Sequence, residues 1–129
     1  MDVIAILRED YARFPIDQSY KIYAEDVYFQ DPLSKFRGLQ RYQKTIAFIQ
    51  TWFKEPQLKL SEIDRVEQLI TTRWILSWNT PLPWYPRIEI TGRSELLLSD
   101  RELIISHIDY WDCTPLDVLK QHFKLDFRS

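Results

Sequence analysis

Several residue types are scarce in this 129-residue chain, and each scarcity argues against a class of site. The two glycines, Gly38 and Gly92, leave no Gly-rich phosphate-binding loop. The single cysteine, Cys113, excludes an intrachain disulfide, lacks a CxxC partner and fits a reducing, cytoplasmic compartment. With two histidines and no tight ligand spacing, no metal site and no cofactor are expected.

Charge and hydropathy argue against two kinds of partner. A formal net charge of -2 gives no basic surface for nucleic acid. No apolar run approaches the roughly 20 residues that span a bilayer, and the N-terminus lacks the charged-then-apolar pattern of a signal peptide. Aromatic residues, in contrast, are abundant at 15%, enough to fill a core or to line a ligand cavity. The length predicts a single domain over residues 1–129.

The order of predicted elements indicates an α+β fold. Apolar residues at helical spacing predict helices near residues 2–14, 16–24 and 39–54, and Thr114-Pro115-Leu116-Asp117 predicts a short C-terminal helix near 115–124. β-rich composition predicts strands near 57–67, 70–79, 87–98 and 103–112, with a short β-prone segment at 27–29. We expect a cone-shaped, curved antiparallel sheet wrapped round the N-terminal helices, with an interior cavity.

The last two strands can be aligned from their sequences. A hairpin with Asp100 and Arg101 at its tip places Ser94 opposite His107 and Gly92 opposite Asp109. This register gathers Ile88, Ile90, Leu96, Leu98, Leu103, Ile105 and Trp111 on one face. The opposite face receives charged residues, for which cross-strand ion pairs are expected among Arg73, Arg87, Arg93, Glu89 and Glu95. That face could alternatively form a homodimer, with Ile104, Ile108 and Tyr110 at its apolar centre.

His107 and Asp109 are the strongest candidates for a functional site. They stand two residues apart in a β-strand, so both side chains point to the same apolar face. Ionisable groups on such a face are costly unless they are paired or used. Three interpretations stay open: a catalytic acid–base pair with His107 as the reacting group and Asp109 orienting it, a ligand contact without catalysis, or a structural pair. A Ser94–His107–Asp109 triad is disfavoured, because Ser94 lies mid-strand without a nucleophile turn.

Further residues are predicted from their position on the same face. The candidate ligand-binding residues are Tyr20, Tyr23, Trp74, Trp78, Ser94 and Trp111. Core packing is an equally good explanation of the two tryptophans of the second long strand. Asp31, before Pro32, is expected to make a turn hydrogen bond rather than face the cavity. His122 is expected at an exposed helical position, and Cys113 is expected to be structural.

The chain resembles the nuclear-transport-factor-2-like superfamily, which includes ketosteroid isomerase, scytalone dehydratase and polyketide cyclases. The resemblance lies in Tyr23-Ala24-Glu25-Asp26-Val27-Tyr28-Phe29-Gln30-Asp31-Pro32, in Phe36-Arg37-Gly38 before a helix, and in Tyr110-Trp111-Asp112. Pro81-Leu82-Pro83-Trp84, Ser94-Glu95-Leu96 and Ser106-His107-Ile108-Asp109-Tyr110-Trp111 are similar to an uncharacterised branch from photosynthetic bacteria and plastids. The resemblance implies the cone fold and a cavity, in which enzymes of the superfamily use a carboxylate or a His–Asp pair.

Three functions are compatible with these observations. The first is binding of a small, partly apolar molecule in the cavity. The second is a cofactor-independent lyase, isomerase or cyclase that uses the pair His107 and Asp109. The third is a dimerising protein-interaction module with a filled cone. An open cavity that exposes both side chains favours the first two, whereas a filled cone favours the third.

Overall fold

The computed structural model describes residues 2–123 and confirms an α+β fold. Its helices are α1 (Val3–Arg13), α2 (Leu39–Trp52) and α3 (Pro115–Gln121), with a 3-10 turn at Tyr20–Ile22. Its strands are β1 (Tyr23–Gln30), β2 (Lys35–Arg37), β3 (Lys54–Val66), β4 (Leu69–Asn79), β5 (Arg87–Leu98) and β6 (Ile104–Trp111). No helix within residues 2–123 is both long and apolar enough to cross a membrane.

The strands form one six-stranded sheet in the order β2-β1-β6-β5-β4-β3. Neighbouring strands are antiparallel, except that β1 runs parallel to β6. The long strands β3, β4 and β5 curve round α1 and α2. On β5, buried residues alternate with exposed ones, as expected for a strand with one face in the core and one in solvent.

Local sequence explains where the helices begin and end. The Asp2 side chain accepts a hydrogen bond from the Ala5 amide and caps α1. A capping box between Thr114 and Asp117 begins α3, with Pro115 at its first position. The helix predicted near residues 16–24 was wrong: the chain makes only one 3-10 turn there and then enters β1. The C-terminal helix was predicted near residues 115–124, and residue 124 lies outside the described residues.

The predicted register between β5 and β6 was wrong by two residues. Ser94 pairs with Asp109, and Leu96 pairs with His107. One residue of the shift comes from the turn, where the amide of Ser99 donates to the carbonyl of Leu103 and Glu102 adopts a positive φ of 62°. The second comes from a bulge in β6 at Ile105, which has no partner on β5.

The turn and the bulge each shift the register by one residue, so the total shift is two. Because side chains alternate with a period of two, residues of β6 beyond the bulge lie on the faces that were predicted for them. His107 and Asp109 therefore share the inner face as predicted, even though their partners differ. Between the turn and the bulge, where the shift is only one residue, the side chains lie on the opposite faces from those predicted. Ile104 is completely buried, whereas Ile105 is 36% exposed, the reverse of the prediction. Ile104 therefore does not contribute to an outer apolar centre.

The core has two apolar clusters with polar positions between them. One cluster lies under α1 and includes Leu96 and Leu98 of β5. The other contains Trp74, Trp78, Ile88 and Ile90. Along β5, Gly92 and Ser94 fall between the two clusters. The middle of the inner sheet face therefore lies between the two clusters and carries polar groups.

The outer face lacks the predicted ion pairs. Among the described residues, no pair of the five predicted charges comes within 4.0 Å. Arg93 instead lies over the ring of Tyr110, 4.2 Å from its centroid. Arg87 donates to Asn79 Oδ1, Ser77 Oγ and the carbonyl of Glu55. The polar outer face is thus arranged around side-chain amides, hydroxyls and an aromatic ring.

Candidate functional site

A cavity of ≈ 470 Å³ lies between the helices and the inner face of the sheet. α1 contributes Leu7 and Tyr11, and α2 contributes Tyr42, Ile46 and Ile49. The sheet contributes its inward-facing tryptophans and the polar residues at its centre, namely Trp74, Trp78, Trp111, Ser94, His107 and Asp109. The cone is therefore open, with apolar and aromatic walls and a few polar groups, as is usual for small-molecule sites.

Asp109 is the centre of a hydrogen-bond network on the cavity wall. Its Oδ1 atom accepts from the Ser94 hydroxyl at 2.5 Å and lies 2.7 Å from His107 Nε2. The Ser94 oxygen in turn accepts from the Trp74 indole N–H at 2.8 Å. Asp109 Oδ2 makes no hydrogen bond to any residue within 2–123. Asp109 lines the cavity, and its side chain is 31% exposed.

His107 is held in an aromatic environment. Its ring centroid lies 4.8 Å from that of Phe29, 6.2 Å from Tyr42 and 6.4 Å from Tyr23. The residue is only 9% exposed, and its Nδ1 atom is buried without a hydrogen-bond partner among the described residues. Since Asp109 Oδ1 only accepts, His107 Nε2 carries the proton that joins the two groups.

Three tyrosines surround this network: Tyr23 is buried, and Tyr11 and Tyr42 are half-buried. Tyr11 Oη lies 2.9 Å from Thr72 Oγ1, a hydrogen bond between α1 and β4. Burial raises the pKa of Tyr11 to about 12. Burial likewise raises the pKa of Tyr23 and that of Tyr42 above the ordinary tyrosine value. All three phenols therefore stay neutral at physiological pH.

The structure brings most of the predicted site residues together. Tyr23, Trp74, Trp78, Ser94, His107, Asp109 and Trp111 all line the cavity. Tyr20 does not: it packs edge-on against Tyr42, with 5.9 Å between the ring centroids. Asp31 borders the cavity, and its Oδ1 atom accepts from the amides of Leu33 and Ser34, which is the expected turn bond.

Two residues near α3 have defined roles. His122 is half-buried rather than exposed: its Nδ1 lies 2.9 Å from the carbonyl of Val118 and its Nε2 lies 3.0 Å from Thr80 Oγ1. It borders the end of the cavity that α3 covers. Burial raises the pKa of the Cys113 thiol, and the residue packs against the tryptophan cluster. An unreactive, structural cysteine fits both observations.

Sequence reasoning missed the polar groups that α1 and α2 contribute. Tyr11 and Tyr42 lie on the apolar faces of α1 and α2, and a tyrosine at such a position is predicted to pack in the core. Asp10 is buried to 4% exposure and is bound by Arg13 Nη2 at 3.0 Å and Ser19 Oγ at 2.8 Å. A carboxylate on a helix with an arginine three residues later was the available signal for that pair.

The donor set for a metal ion is poor. No group of three or more His, Cys, Asp and Glu side chains in the described part of the chain could hold one. Two pairs engage ionisable side chains of the cavity wall, namely His107 with Asp109 and Asp10 with Arg13. The arrangement can accept hydrogen bonds from a ligand and hold a proton at Asp109 or His107.

Solved structures with the same fold confirm the cone architecture. A protein from Catenulispora acidiphila with a ketosteroid isomerase-like fold, solved in complex with trimethylamine, superposes with a TM-score of 0.74 at 14% identity, covering 93% of this chain and 91% of that one. A SnoaL-like polyketide cyclase from a Jannaschia species gives 0.75 at 9% identity, covering 92% and 89%. A nuclear-transport-factor-2-like protein of unknown function from Burkholderia pseudomallei gives 0.70 at 13% identity, covering 84% and 89%.

These identities show a shared fold and no more. A comparison with curated proteins finds no match. The sequence itself, over residues 1–107, matches the family described as uncharacterized conserved protein DUF2358. Because the match covers well over half of the 129 residues and the fold is that of the nuclear-transport-factor-2-like proteins, the chain belongs to the DUF2358 family.

Proposed function

We propose that this protein binds a small, largely apolar molecule in the cavity and holds it through the free oxygen of Asp109. The observation that carries the proposal is the position of that carboxylate. Asp109 lines a cavity of ≈ 470 Å³, its Oδ1 is occupied by Ser94 and His107, and its Oδ2 has no protein partner in the described region. A polar group fixed on an apolar wall gives a ligand one strong, directional contact.

The residues behind Asp109 support a preorganised site. Trp74 and Ser94 form a chain of donors that ends at Oδ1, and His107 approaches the same atom from β6. Groups fixed before binding do not have to be ordered when the ligand arrives, which favours affinity. The open cavity also favours this function over the interaction module with a filled cone. A cytoplasmic location, a photosynthetic host and a homodimer through the outer face stay predictions.

Binding can be tested with a bicyclic probe and a blocked cavity. 2-Naphthylmethanol carries an apolar body and one hydrogen-bond donor, and its binding is followed by titration calorimetry. Leu76→Trp places a large ring inside the cavity, whereas Ile75→Trp makes the same kind of change on the other face of β4. We expect binding to wild type and Ile75→Trp, and loss in Leu76→Trp. Equal binding to the two variants would contradict a ligand site in the cavity.

A second candidate is a cofactor-independent lyase, isomerase or cyclase. The free Oδ2 favours it, because a carboxylate oxygen among apolar walls can accept a proton from a bound carbon acid. Here Asp109 takes the reacting position and His107 orients it, the reverse of the order suggested by the sequence. In such a step Oδ2 takes the proton, the electron pair of the C–H bond forms an enolate, and the proton returns to carbon.

Exchange of α-protons on 2-tetralone in deuterated buffer tests this second candidate by NMR. If Asp109 acts as a base, wild type accelerates exchange and Asp109→Asn loses the acceleration, because an amide cannot take the proton. Asp26→Asn is the matched control, since Asp26 is exposed on β1. Exchange at the buffer rate with bound 2-tetralone would contradict proton abstraction and leave binding as the function.

A further inference from the structure

We propose that the cavity selects an organic cation, namely a protonated amine with an apolar body, over neutral and anionic molecules of the same shape. The inference rests on the proposed function and specifies its ligand class. It comes from the charges on the cavity wall, from the hydrogen bonds of His107 and from the aromatic surface next to Asp109.

The cavity wall carries three carboxyl groups, and its basic side chains are two histidines, His107 and His122. Asp10, Asp31 and Asp109 line it, and among the described lining residues there is no lysine or arginine. Asp10 is neutralised by Arg13, 3.0 Å away. Asp31 uses Oδ1 to hold its own turn. Neither Asp31 nor Asp109 has a lysine or arginine partner in the described chain, and of the two Asp109 lies on β6 in the middle of the inner sheet face.

The hydrogen bonds of His107 favour a neutral ring beside that carboxylate. A neutral ring donates through Nε2 to Asp109 and leaves only a lone pair at the buried Nδ1 atom. A charged ring would bury a second N–H at Nδ1, which has no acceptor within hydrogen-bond distance in the described chain, and this costs more than a buried lone pair. Asp109 with two neutral donors then carries a net negative charge that a ligand can balance.

The aromatic wall suits the same ligand class. Indole rings of Trp74, Trp78 and Trp111 and the phenol of Tyr23 line the cavity that contains Asp109. The faces of such rings attract a cation, and the attraction increases where water is displaced. They also pack well against an apolar body. An anion would meet the carboxylate with no lysine or arginine among the described lining residues to receive it, so carboxylate and phosphate ligands are disfavoured.

Three probes of one shape test the inference: 2-naphthylmethylamine, 2-naphthylmethanol and 2-naphthoate, measured at pH 7 by titration calorimetry. At this pH the first is a cation, the second is neutral and the third is an anion. We expect the amine to bind about tenfold more tightly than the alcohol and the naphthoate to bind most weakly. In Asp109→Asn, which keeps the shape of the side chain, the advantage of the amine over the alcohol should disappear. Asp26→Asn should keep it.

Each other result has a defined meaning. If the alcohol or the naphthoate binds wild type as tightly as the amine, selection of a cation is wrong and cavity binding survives. If the amine keeps its advantage in Asp109→Asn, the cation is held elsewhere and the inference fails. If none of the three binds, the proposed function fails together with the inference. The comparison in wild type needs no variant, so it stands even if Asp109→Asn is unstable.

Discussion

Ser94 and Asp109 are direct partners across the β5–β6 ladder, and the Ser94 hydroxyl donates to Asp109 Oδ1 at 2.5 Å. The Ser94 oxygen itself accepts a hydrogen bond from the indole N–H of Trp74. Ser94 therefore links a buried tryptophan on β4 to the carboxylate on β6. Because its single proton is committed to Asp109, the hydroxyl orients the carboxylate and keeps Oδ2 free.

Replacing Ser94 by alanine should destabilise the protein. The substitution removes the donor to Asp109 and leaves the Trp74 N–H buried without an acceptor, which costs about 1–3 kcal/mol in the free energy of unfolding. Urea denaturation followed by tryptophan fluorescence measures the change. Ser61→Ala removes a hydroxyl that bonds the Arg73 carbonyl at an exposed position and should change stability by less than about 0.5 kcal/mol. Equal losses in the two variants would contradict the linking role of Ser94.

Gly92 is required by the packing of Trp74 against β5. A Cβ atom at this position would lie 2.8 Å from an indole carbon of Trp74 and would also overlap the carbonyl of Tyr110. Gly92→Ala should therefore displace the indole and cost about 1–3 kcal/mol or more. The near-ultraviolet circular dichroism should change with it.

Gly38 provides the comparison for that substitution. An added Cβ at Gly38 has open space, although its φ of 117° strains any other residue. Gly38→Ala should lower stability through the backbone and leave the tryptophan signal unchanged. A normal near-ultraviolet spectrum for Gly92→Ala would show that the indole does not depend on this glycine.

Stability should fall at alkaline pH because of Tyr11. Burial raises the pKa of Tyr11 from 10.0 to about 12. Between these values the unfolded chain releases a proton that the folded protein keeps, so the contribution of Tyr11 is complete below pH 10 and is lost as the pH rises.

Tyr11→Phe removes this dependence together with the bond to Thr72. The free energy of unfolding of wild type should exceed that of Tyr11→Phe at pH 9, and this excess should be about 1–3 kcal/mol smaller at pH 12. Denaturation of both proteins at the two pH values gives the comparison. An advantage that does not change with pH would mean that the Tyr11 phenol titrates normally.

Acid should weaken a contact that ties β3 to the β5–β6 turn. Arg65 donates two hydrogen bonds of 2.7 Å to Glu102 and holds the pKa of that carboxyl below its ordinary 4.5. Because the folded pKa is lowered, the contribution is present above pH 4.5 and is lost as the pH falls. Glu102→Gln should be less stable than wild type at pH 7, and the difference should shrink in acid.

Glu67→Gln is the matched control for this ion pair. Glu67 is exposed and, like Glu102, has a positive φ, of 55°, but its side chain makes no hydrogen bond within the described residues. Its substitution should leave thermal stability unchanged at both pH values. If Glu102→Gln behaves in the same way, the ion pair contributes nothing and the turn is held by its backbone.

In β6 the sequence pattern predicted which face His107 and Asp109 occupy, but it did not predict their partners on β5. Alternation correctly placed His107 and Asp109 on one face, because both lie beyond the bulge, in a stretch of β6 where the period of two holds. The partner of each residue depends on the turn and on the bulge at Ile105. A left-handed residue in such a turn is usually glycine, so Glu102 gave no signal for the longer loop.

The sequence by itself determined the α+β fold, the caps of α1 and α3, and the shared face of His107 and Asp109. These features depend on neighbouring residues or on a period within one strand, and short stretches of sequence record them. Only the tertiary structure decided that Ser94 bonds Asp109, that Tyr11 and Tyr42 join the cavity, and that Asp109 Oδ2 has no hydrogen-bond partner within residues 2–123. Those contacts join segments far apart in the chain, 61 residues in the case of Tyr11 and Thr72, and arise only when the sheet closes round the helices.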